Sequence, residues 1–360
     1  MAHKKNIQVF TNLIVKGGTL ITPALSIFLI LYSSFFGYLD RSKNYIAHSI
    51  SILFAVINAS KSLFSQGDFS AYEKIYISIN KVSLFEALIE SEKDPLFYSI
   101  FWIFSKLFSF EIVIGLITYI SFLLLFKAAY KFKVKNAGIL IFISLIFSWP
   151  IFSLSAHIIR QFLCMAFLFY AISKAENNEK TFIYPLFLSG LIHTSSFLLI
   201  IIVLLFYFKL TLSFLKKIYY LPLLAIFFIS PQIDNLLFRF AEESINDGSE
   251  LRTDGYFFSI FNIIISFLGF VYKKNKFIAL YLLYSIICLL ILFYLNPFLY
   301  GRFSFYNYLF FAYFVSKFCN RYVIVGFLFL IILSLDTIFK LNSKGYIFDI
   351  DWYNLIFSWI

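Results

Sequence analysis

Four side chains that can do chemistry recur on one face of an apolar segment. His157, Arg160, Gln161 and Cys164 follow an i, i+3, i+4, i+7 spacing, which places them on one side of a helix just after Pro150. An arginine in such a segment is costly and marks a functional or paired position. Its planar guanidinium suits phosphate and carboxylate oxygens. The spacing predicts an anion-binding helix face, with a structural ion pair of Arg160 as the alternative.

A second candidate for chemistry is His193, in the run Leu-Ile-His-Thr-Ser-Ser. A neutral imidazole can take a proton from a hydroxyl group at working pH. His193 is therefore a candidate general base. The alternative is a histidine that caps a helix or forms a hydrogen bond in the core.

The arginines depart from the usual charge bias of membrane proteins. Lysines and arginines normally concentrate in cytoplasmic loops, and only Arg41 and Arg321 of the six arginines do so here. The other four fall in predicted outer loops or at outer helix ends: Arg160, Arg239, Arg252 and Arg302. This placement suggests an anionic, lipid-linked head group as ligand. The alternatives are pairing of Arg239 and Arg252 with outer carboxylates and a surface position for Arg302.

The elements that position these residues follow from composition. The chain has 360 residues, of which 61% are hydrophobic and 14% charged, with a mean hydropathy of +0.86. This excludes a water-soluble globular protein. We predict an all-α fold, a polytopic transmembrane helix bundle that forms a single membrane domain over residues 1–360. Lysine-rich loops such as 131–135, 174–180 and 273–276 are predicted to be cytoplasmic.

One apolar stretch, residues 181–208, lies between two lysine-rich ends and is too long for a single crossing. We predict that it folds back as a hairpin with its break at residues 193–196, which gives about twelve crossings in total. A long tilted crossing is the alternative. The N-terminal orientation stays open, because its lysines favour the inside whereas the count of crossings places them outside.

Two long outer loops are predicted, at about residues 65–95 and 233–255, and both are rich in carboxylates. They are candidate substrate loops. Between residues 96 and 108, polar side chains recur at helical spacing in a segment too short to cross the membrane. This predicts a helix that lies in the outer membrane interface.

Several common motifs are missing from the sequence. It has no Walker loop, no glycine-rich dinucleotide fingerprint and no Cys/His cluster with zinc spacing. We therefore expect no cofactor and no metal, and a substrate that is already activated. The three cysteines lie in or beside apolar runs, so a disulfide framework is not expected.

The order of four short motifs resembles the EpsG-like branch of Wzy-type polysaccharide polymerases. The motifs are Asp68 to Tyr72, Glu92 to Tyr98, Ser155 to Gln161, and Leu191 to Ser196. The resemblance covers most of residues 25–320. The extra N-terminal segment and the Asp94-Pro95 step, where a glutamate is common, depart from the pattern.

The resemblance implies a multi-pass glycosyltransferase of the bacterial inner membrane. It would join oligosaccharide repeat units carried on undecaprenyl diphosphate at the outer face, with the lipid bilayer as surroundings and no nucleic acid as partner. Whether a chain-length regulator binds stays open, as does the choice between O-antigen and other surface glycans. A sugar diphosphate is its own activated donor, which fits the missing nucleotide motifs.

We assign expected roles on this basis. Arg160 and Arg302 would hold the diphosphate, and His193 or Asp68 would deprotonate the acceptor hydroxyl. His157 would orient Arg160 or relay the proton. Further substrate contacts are expected from Gln161, Arg252, Tyr72 and Asp94. The alternatives are a polysaccharide flippase or other transporter, an O-antigen ligase, and an acyltransferase that uses His193.

Overall fold

In the computed structural model of the chain, every described element is a helix. The structure describes residues 43–60, 68–90, 94–135, 137–146, 158–207, 255–273, 275–294 and 297–320, with isolated positions at 148, 151, 154–155, 324, 328 and 331. Within these residues the predicted all-α class is confirmed.

Twelve α-helices follow one another along the described part of the chain. They are α1 (Lys43–Ser60), α2 (Asp68–Ile79), α3 (Leu84–Glu90), α4 (Pro95–Ser105), α5 (Phe110–Lys131), α6 (Ala137–Ile146), α7 (Ile159–Glu176), α8 (Ile183–Ile192), α9 (Phe197–Tyr207), α10 (Gly255–Lys273), α11 (Lys276–Tyr294) and α12 (Pro297–Phe318). Short 3₁₀ turns, Lys180–Phe182 and Thr194–Ser196, precede α8 and α9.

Aromatic rings join the long helices into one core. α5 packs on α1 and on α7, and its Phe122 stacks on Phe54 of α1 with ring centroids 3.8 Å apart. Tyr313 of α12 packs on Phe142 of α6 and on Phe169 of α7, at 4.8 and 5.3 Å. These rings are fully buried. The burial fixes α7, which carries Arg160, against helices on both sides.

The start of α6 lies directly against the end of α12. A Cβ atom added at Gly138 would lie 2.2 Å from both the carbonyl oxygen of Ser316 and Oδ1 of Asn320. Asn320 also bonds the backbone at Lys133 and Lys135 on the approach to α6. Glycine is therefore required at position 138 by the close approach of two backbones.

The predicted cytoplasmic loops meet at one end of the bundle. Lys131 pairs with Glu179, and Lys317 lies 2.7 Å from Glu176. Asn275 also donates to Glu176. Because Arg160 is the second residue of α7 and Glu176 is the last, the arginine lies at the opposite end of a helix of 18 residues, about 27 Å long. Which side of a membrane each end faces stays a prediction.

Residues 181–207, the described part of the stretch 181–208, form the predicted hairpin. α8 ends at Ile192, the 3₁₀ turn spans Thr194–Ser196, and α9 begins at Phe197. The far ends of the two arms meet, since the ring centroids of Phe182 and Tyr207 are 6.0 Å apart. Each arm is only about 15–17 Å long, roughly half of the hydrocarbon thickness of a bilayer. The turn with His193 is therefore separated from the lysine-rich end of the bundle by the length of one arm.

The three short helices α2, α3 and α4 cover the end of the bundle opposite the lysines. They pack through a second apolar cluster that includes Tyr72, Phe97, Phe101 and Val113. Ser83 and Glu86 form a reciprocal capping box at the start of α3. The segment predicted as an outer loop, about residues 65–95, is thus largely helical over its described part.

α4 occupies the position predicted for the interfacial helix. Trp102 of α4 and Lys106, which directly follows the helix, bond the chain between α2 and α3. Trp102 donates to the carbonyl of Val82 at 2.9 Å, and Lys106 donates to that of Asn80 at 2.5 Å. Its location in a membrane interface stays a prediction. These polar side chains have a structural role, because their hydrogen bonds hold α4 against the chain between α2 and α3.

Among the described residues, α5 is the one helix long and apolar enough to cross a membrane by itself. The count of about twelve crossings therefore stays a prediction. The apolar segments at residues 20–39 and 218–232, the second predicted outer loop at 233–255 up to its penultimate residue, and the N-terminal lysines lie outside the described residues.

Candidate functional site

The candidate site is organised around the carboxylate of Asp94. This residue directly precedes α4, and Pro95 in the first helical turn has no amide that needs a cap. The Asp94 side chain makes no capping bond to α4 and is only 2% exposed. A buried carboxylate requires compensating partners. It finds them on α7 and on the hairpin turn.

Arg160 is the first partner. Its Nη1 donates to Oδ2 of Asp94 at 2.8 Å, and its Nε lies 3.4 Å from the hydroxyl oxygen of Tyr72. The guanidinium also lies over two rings, 5.5 Å from the Tyr72 centroid and 5.9 Å from that of Phe97. Among the described residues nothing accepts a hydrogen bond from Nη2, and the side chain is 28% exposed. One edge of the guanidinium is thus anchored, and the other edge has no partner within the described part of the chain.

His193 is the second partner. Its Nδ1 lies 3.1 Å from both carboxylate oxygens of Asp94, and the backbone amide of Thr194 donates to Oδ1 at 3.1 Å. A carboxylate that accepts the Nδ1 proton fixes the imidazole tautomer in which Nε2 keeps its lone pair. No described residue bonds Nε2. Within the described part of the chain, Nε2 can therefore accept a proton.

The charge on Asp94 is set by these partners. Burial alone would raise the pKa of its carboxyl group. The hydrogen bond from His193, the charge of Arg160 and the amide of Thr194 outweigh burial, so the pKa lies below its ordinary value of 3.8. Asp94 is therefore a carboxylate at neutral pH. It can hold Arg160 and His193 at once.

The turn that carries His193 is held by side chains on the side that faces the core of the bundle. The hydroxyl of Tyr306, on α12, lies 3.0 Å from Oγ of Ser195 and 3.5 Å from Sγ of Cys164. Ser196 donates to the carbonyl of His193 at 2.9 Å. Tyr306 and Cys164 are fully buried. α7, α12 and the hairpin turn therefore meet directly beneath the site.

Gln161 and Arg302 connect α7 to the start of α12. Nε2 of Gln161, which is 1% exposed, donates to the backbone carbonyl of Arg302 at 2.5 Å. The amide predicted to contact substrate is thus used to position α12. The Arg302 side chain is exposed. Since Gln161 follows Arg160 directly, both arginines lie at the same end of the bundle.

The structure brings together four of the residues expected from sequence: Arg160, His193, Tyr72 and Asp94. Gln161 follows Arg160 on α7 but bonds the backbone of Arg302. The ion-pair alternative for Arg160 is also realised, because Asp94 is its partner. Other predicted residues lie beyond what the structure describes. Asp68 begins α2 but its side chain is outside the described residues, as are His157 and Arg252.

Two residues of the site were missed from sequence. Phe97 forms part of the wall beside the guanidinium, and Tyr306 supports the histidine turn. Tyr306 follows Arg302 by four residues and so shares its helix face. That spacing was the available signal. For Phe97 the available signal was its place in the Glu92 to Tyr98 motif, two residues after Pro95.

The arrangement can bind an anion and remove a proton within one small region. An anchored guanidinium with a free edge suits a phosphate oxygen. An imidazole oriented by a carboxylate suits a hydroxyl group. Among the described residues, no group of three or more His, Cys, Asp or Glu side chains is placed to hold a metal ion.

The sequence matches the EpsG family over residues 49–354. The chain belongs to the EpsG family. This confirms the resemblance to the EpsG-like branch of polysaccharide polymerases, and the match spans the described site from Tyr72 to Tyr306. EpsG proteins are membrane proteins of polysaccharide biosynthesis, associated with polymerase activity of the glycosyltransferase kind. No curated protein and no solved structure matches the chain.

Proposed function

We propose that this EpsG protein is a polysaccharide polymerase. It would join undecaprenyl-diphosphate-linked oligosaccharide repeat units at the outer face of the bacterial inner membrane, as a multi-pass enzyme without a cofactor. The observation that carries the proposal is the shared carboxylate of Asp94, 2.8 Å from Nη1 of Arg160 and 3.1 Å from Nδ1 of His193. One carboxylate orients an anion-binding group and a base for the same reaction.

The reaction breaks the bond between the anomeric carbon of a donor sugar and its lipid diphosphate. A hydroxyl oxygen of the acceptor repeat unit forms the new bond to that carbon. Nε2 of His193 takes the hydroxyl proton, and the bond electrons leave with the diphosphate. The free edge of Arg160 stabilises the negative charge that develops on the leaving group.

Arg302 is proposed as a second cation for the diphosphate. Its side chain is exposed, and its backbone is fixed by Gln161 next to Arg160. A diphosphate carries more negative charge than one guanidinium neutralises, particularly as Asp94 already pairs with Arg160. A second arginine at the same end of the bundle supplies the missing charge.

Surface glycan from a deletion strain tests the proposal. Complementation with the wild-type gene should restore long-chain ladders on gels, whereas Asp94→Asn and His193→Gln should leave lipid-linked single repeats outside the membrane. His48→Gln is the matched control, because His48 lies on α1 and bonds the hydroxyl of Tyr119. It should restore the ladder.

Two other outcomes would replace the proposal. Single repeats that accumulate on the cytoplasmic side of the deletion strain would indicate a flippase. Long chains that accumulate intact on the lipid carrier would indicate a ligase. Immunoblots of all variants must show equal protein in the membrane, so that loss of the ladder reports the reaction.

A further inference from the structure

We propose that Tyr306 is a positioning residue for His193, acting through the hydroxyl of Ser195. The inference rests on the proposed function, because it assigns how the base of that reaction is held. Tyr306 lies on α12 and does not belong to the hairpin that carries the histidine. Its hydroxyl lies 3.0 Å from Oγ of Ser195, two residues after His193.

The turn itself explains why such support is needed. His193 is an extended residue between two helices, with φ −156° and ψ 127°, and the following 3₁₀ turn has only three residues. The hairpin provides local bonds from Ser196 to the His193 carbonyl. Those bonds hold the backbone of the turn together but do not fix where the turn sits relative to α7.

Tyr306 fixes the position of the turn relative to α7. Its hydroxyl contacts Ser195 of the turn and Cys164 of α7, which lies one helical turn after Arg160. Cys164 in turn lies 3.9 Å from the carbonyl of His193. The phenol ring is fully buried and packs near Tyr284, with centroids 6.0 Å apart. A rigid, buried ring therefore places one hydroxyl between the two elements that hold the base and the anion site.

This geometry assigns Tyr306 a role in the chemical step and none in binding. Substrate does not reach a buried hydroxyl beneath the turn. Removing it should change where Nε2 of His193 points while leaving Arg160 and Asp94 in place. A displacement on the order of 1 Å can lower a rate about 100-fold.

The test uses purified protein in lipid nanodiscs with a synthetic undecaprenyl-diphosphate-linked repeat unit. We expect Tyr306→Phe to lower kcat about 10- to 100-fold with little change in KM. Tyr313→Phe is the matched control, since Tyr313 is fully buried on the same helix and donates to the carbonyl of Leu125 at 2.9 Å. It should keep kcat within about twofold. Equal losses in both variants would overturn the inference.

A double-mutant cycle tests the route through Ser195. Ser195→Ala should lower kcat about as much as Tyr306→Phe, and the double variant should lose no more than either single one. Multiplicative losses would show that Tyr306 does not act through Ser195 and would overturn the inference.

A readout without turnover separates this inference from the proposed function. The ¹⁵N signals of the His193 imidazole, assigned with His193→Gln, report its tautomer and its bond to Asp94. They should shift in Tyr306→Phe and stay unchanged in Tyr313→Phe. If wild-type protein forms no polymer, the proposed function fails and these signals alone decide the inference. Unchanged signals in Tyr306→Phe would overturn it whatever the activity.

Discussion

Nδ1 of His193 lies 3.1 Å from both oxygens of the Asp94 carboxylate, although the two residues are 99 positions apart in the chain. The same carboxylate accepts a hydrogen bond from Arg160 at 2.8 Å. Three distant motifs therefore converge on one buried acid. Because Arg160 and His193 share one partner, a single substitution at any of the three residues should change activity or stability in a definite direction.

The guanidinium of Arg160 must serve two partners at once. Nη1 bonds Asp94, and the opposite edge, which no described residue bonds, is proposed to face the substrate. A lysine presents a single ammonium and cannot reproduce this fork. We expect Arg160→Lys to lower polymerisation about 10- to 100-fold and Arg160→Ala to abolish long chains. Quantitative glycan gels from complemented cells measure the effect.

Lys174 provides the matched control for Arg160. It lies on the same helix at the other end, and its Nζ is 5.3 Å from the centroid of the Tyr170 ring. Lys174→Ala removes a comparable cation–π contact without touching the site, so chain length should not change. Full-length ladders from both Arg160 variants would show that the arginine has no part in the reaction.

His193 is expected to act as the general base. General acid–base groups typically contribute about 10²–10⁴-fold to a rate. His193→Gln should lower turnover by that order, because glutamine fits the space but cannot take a proton. Initial rates with purified protein are the measurement. A loss below about threefold would contradict the assignment, because a histidine with a purely structural role would give a loss of that size.

Asp94 should make stability depend on pH. Because the pKa of its folded-state carboxyl lies below 3.8, its contribution to stability is complete above that pH and is lost as pH falls through the lower folded-state value. Asp94→Asn should lower the free energy of unfolding by about 1–3 kcal/mol at pH 7, since Arg160 and His193 lose a charged partner.

Thermal unfolding in detergent between pH 7 and pH 3 checks the Asp94 prediction. The difference in Tm between wild type and Asp94→Asn should shrink at the acidic end. Glu86→Gln is the control, because its exposed side chain can keep the capping-box bond to Ser83. A constant difference in Tm across the whole range would contradict the role of the charge.

Two glycines test the packing of the bundle. A Cβ at Gly138 would lie 2.2 Å from the Ser316 carbonyl oxygen, whereas one at Gly115 would meet Cβ of Ala59 at an ordinary 3.4 Å. Gly138→Ala should destabilise the protein by about 1–3 kcal/mol, and Gly115→Ala should have little effect. Denaturation midpoints in detergent distinguish them. Equal midpoints would contradict the close approach of α6 and α12.

Much of the site was predictable because its polar and charged residues stand in otherwise apolar segments. Arg160 stands out as an ion in an apolar helix, and the break at residues 193–196 stands out as a polar run in a long apolar stretch. The lysine-rich loops likewise predicted which helix ends would meet. Each of these signals is local, so a sequence can reveal it.

The pairing of these residues was not predictable in the same way. Asp94 and Arg160 are 66 positions apart, and no rule of spacing brings them together. The helices in the predicted outer loop are a different case. The Ser-x-x-Glu pattern from Ser83 to Glu86 is typical of a helix start and indicates α3. The prediction of a loop came instead from the position of this segment between predicted spans.

The most direct test of the account compares bond formation with release of the carrier. Wild-type protein in nanodiscs should release undecaprenyl diphosphate in an amount equal to the new glycosidic bonds between repeat units, and Arg160→Ala should abolish both. Movement of the lipid-linked repeat across a bilayer, or its transfer to another acceptor without chain extension, would contradict a polymerase built on Asp94, Arg160 and His193.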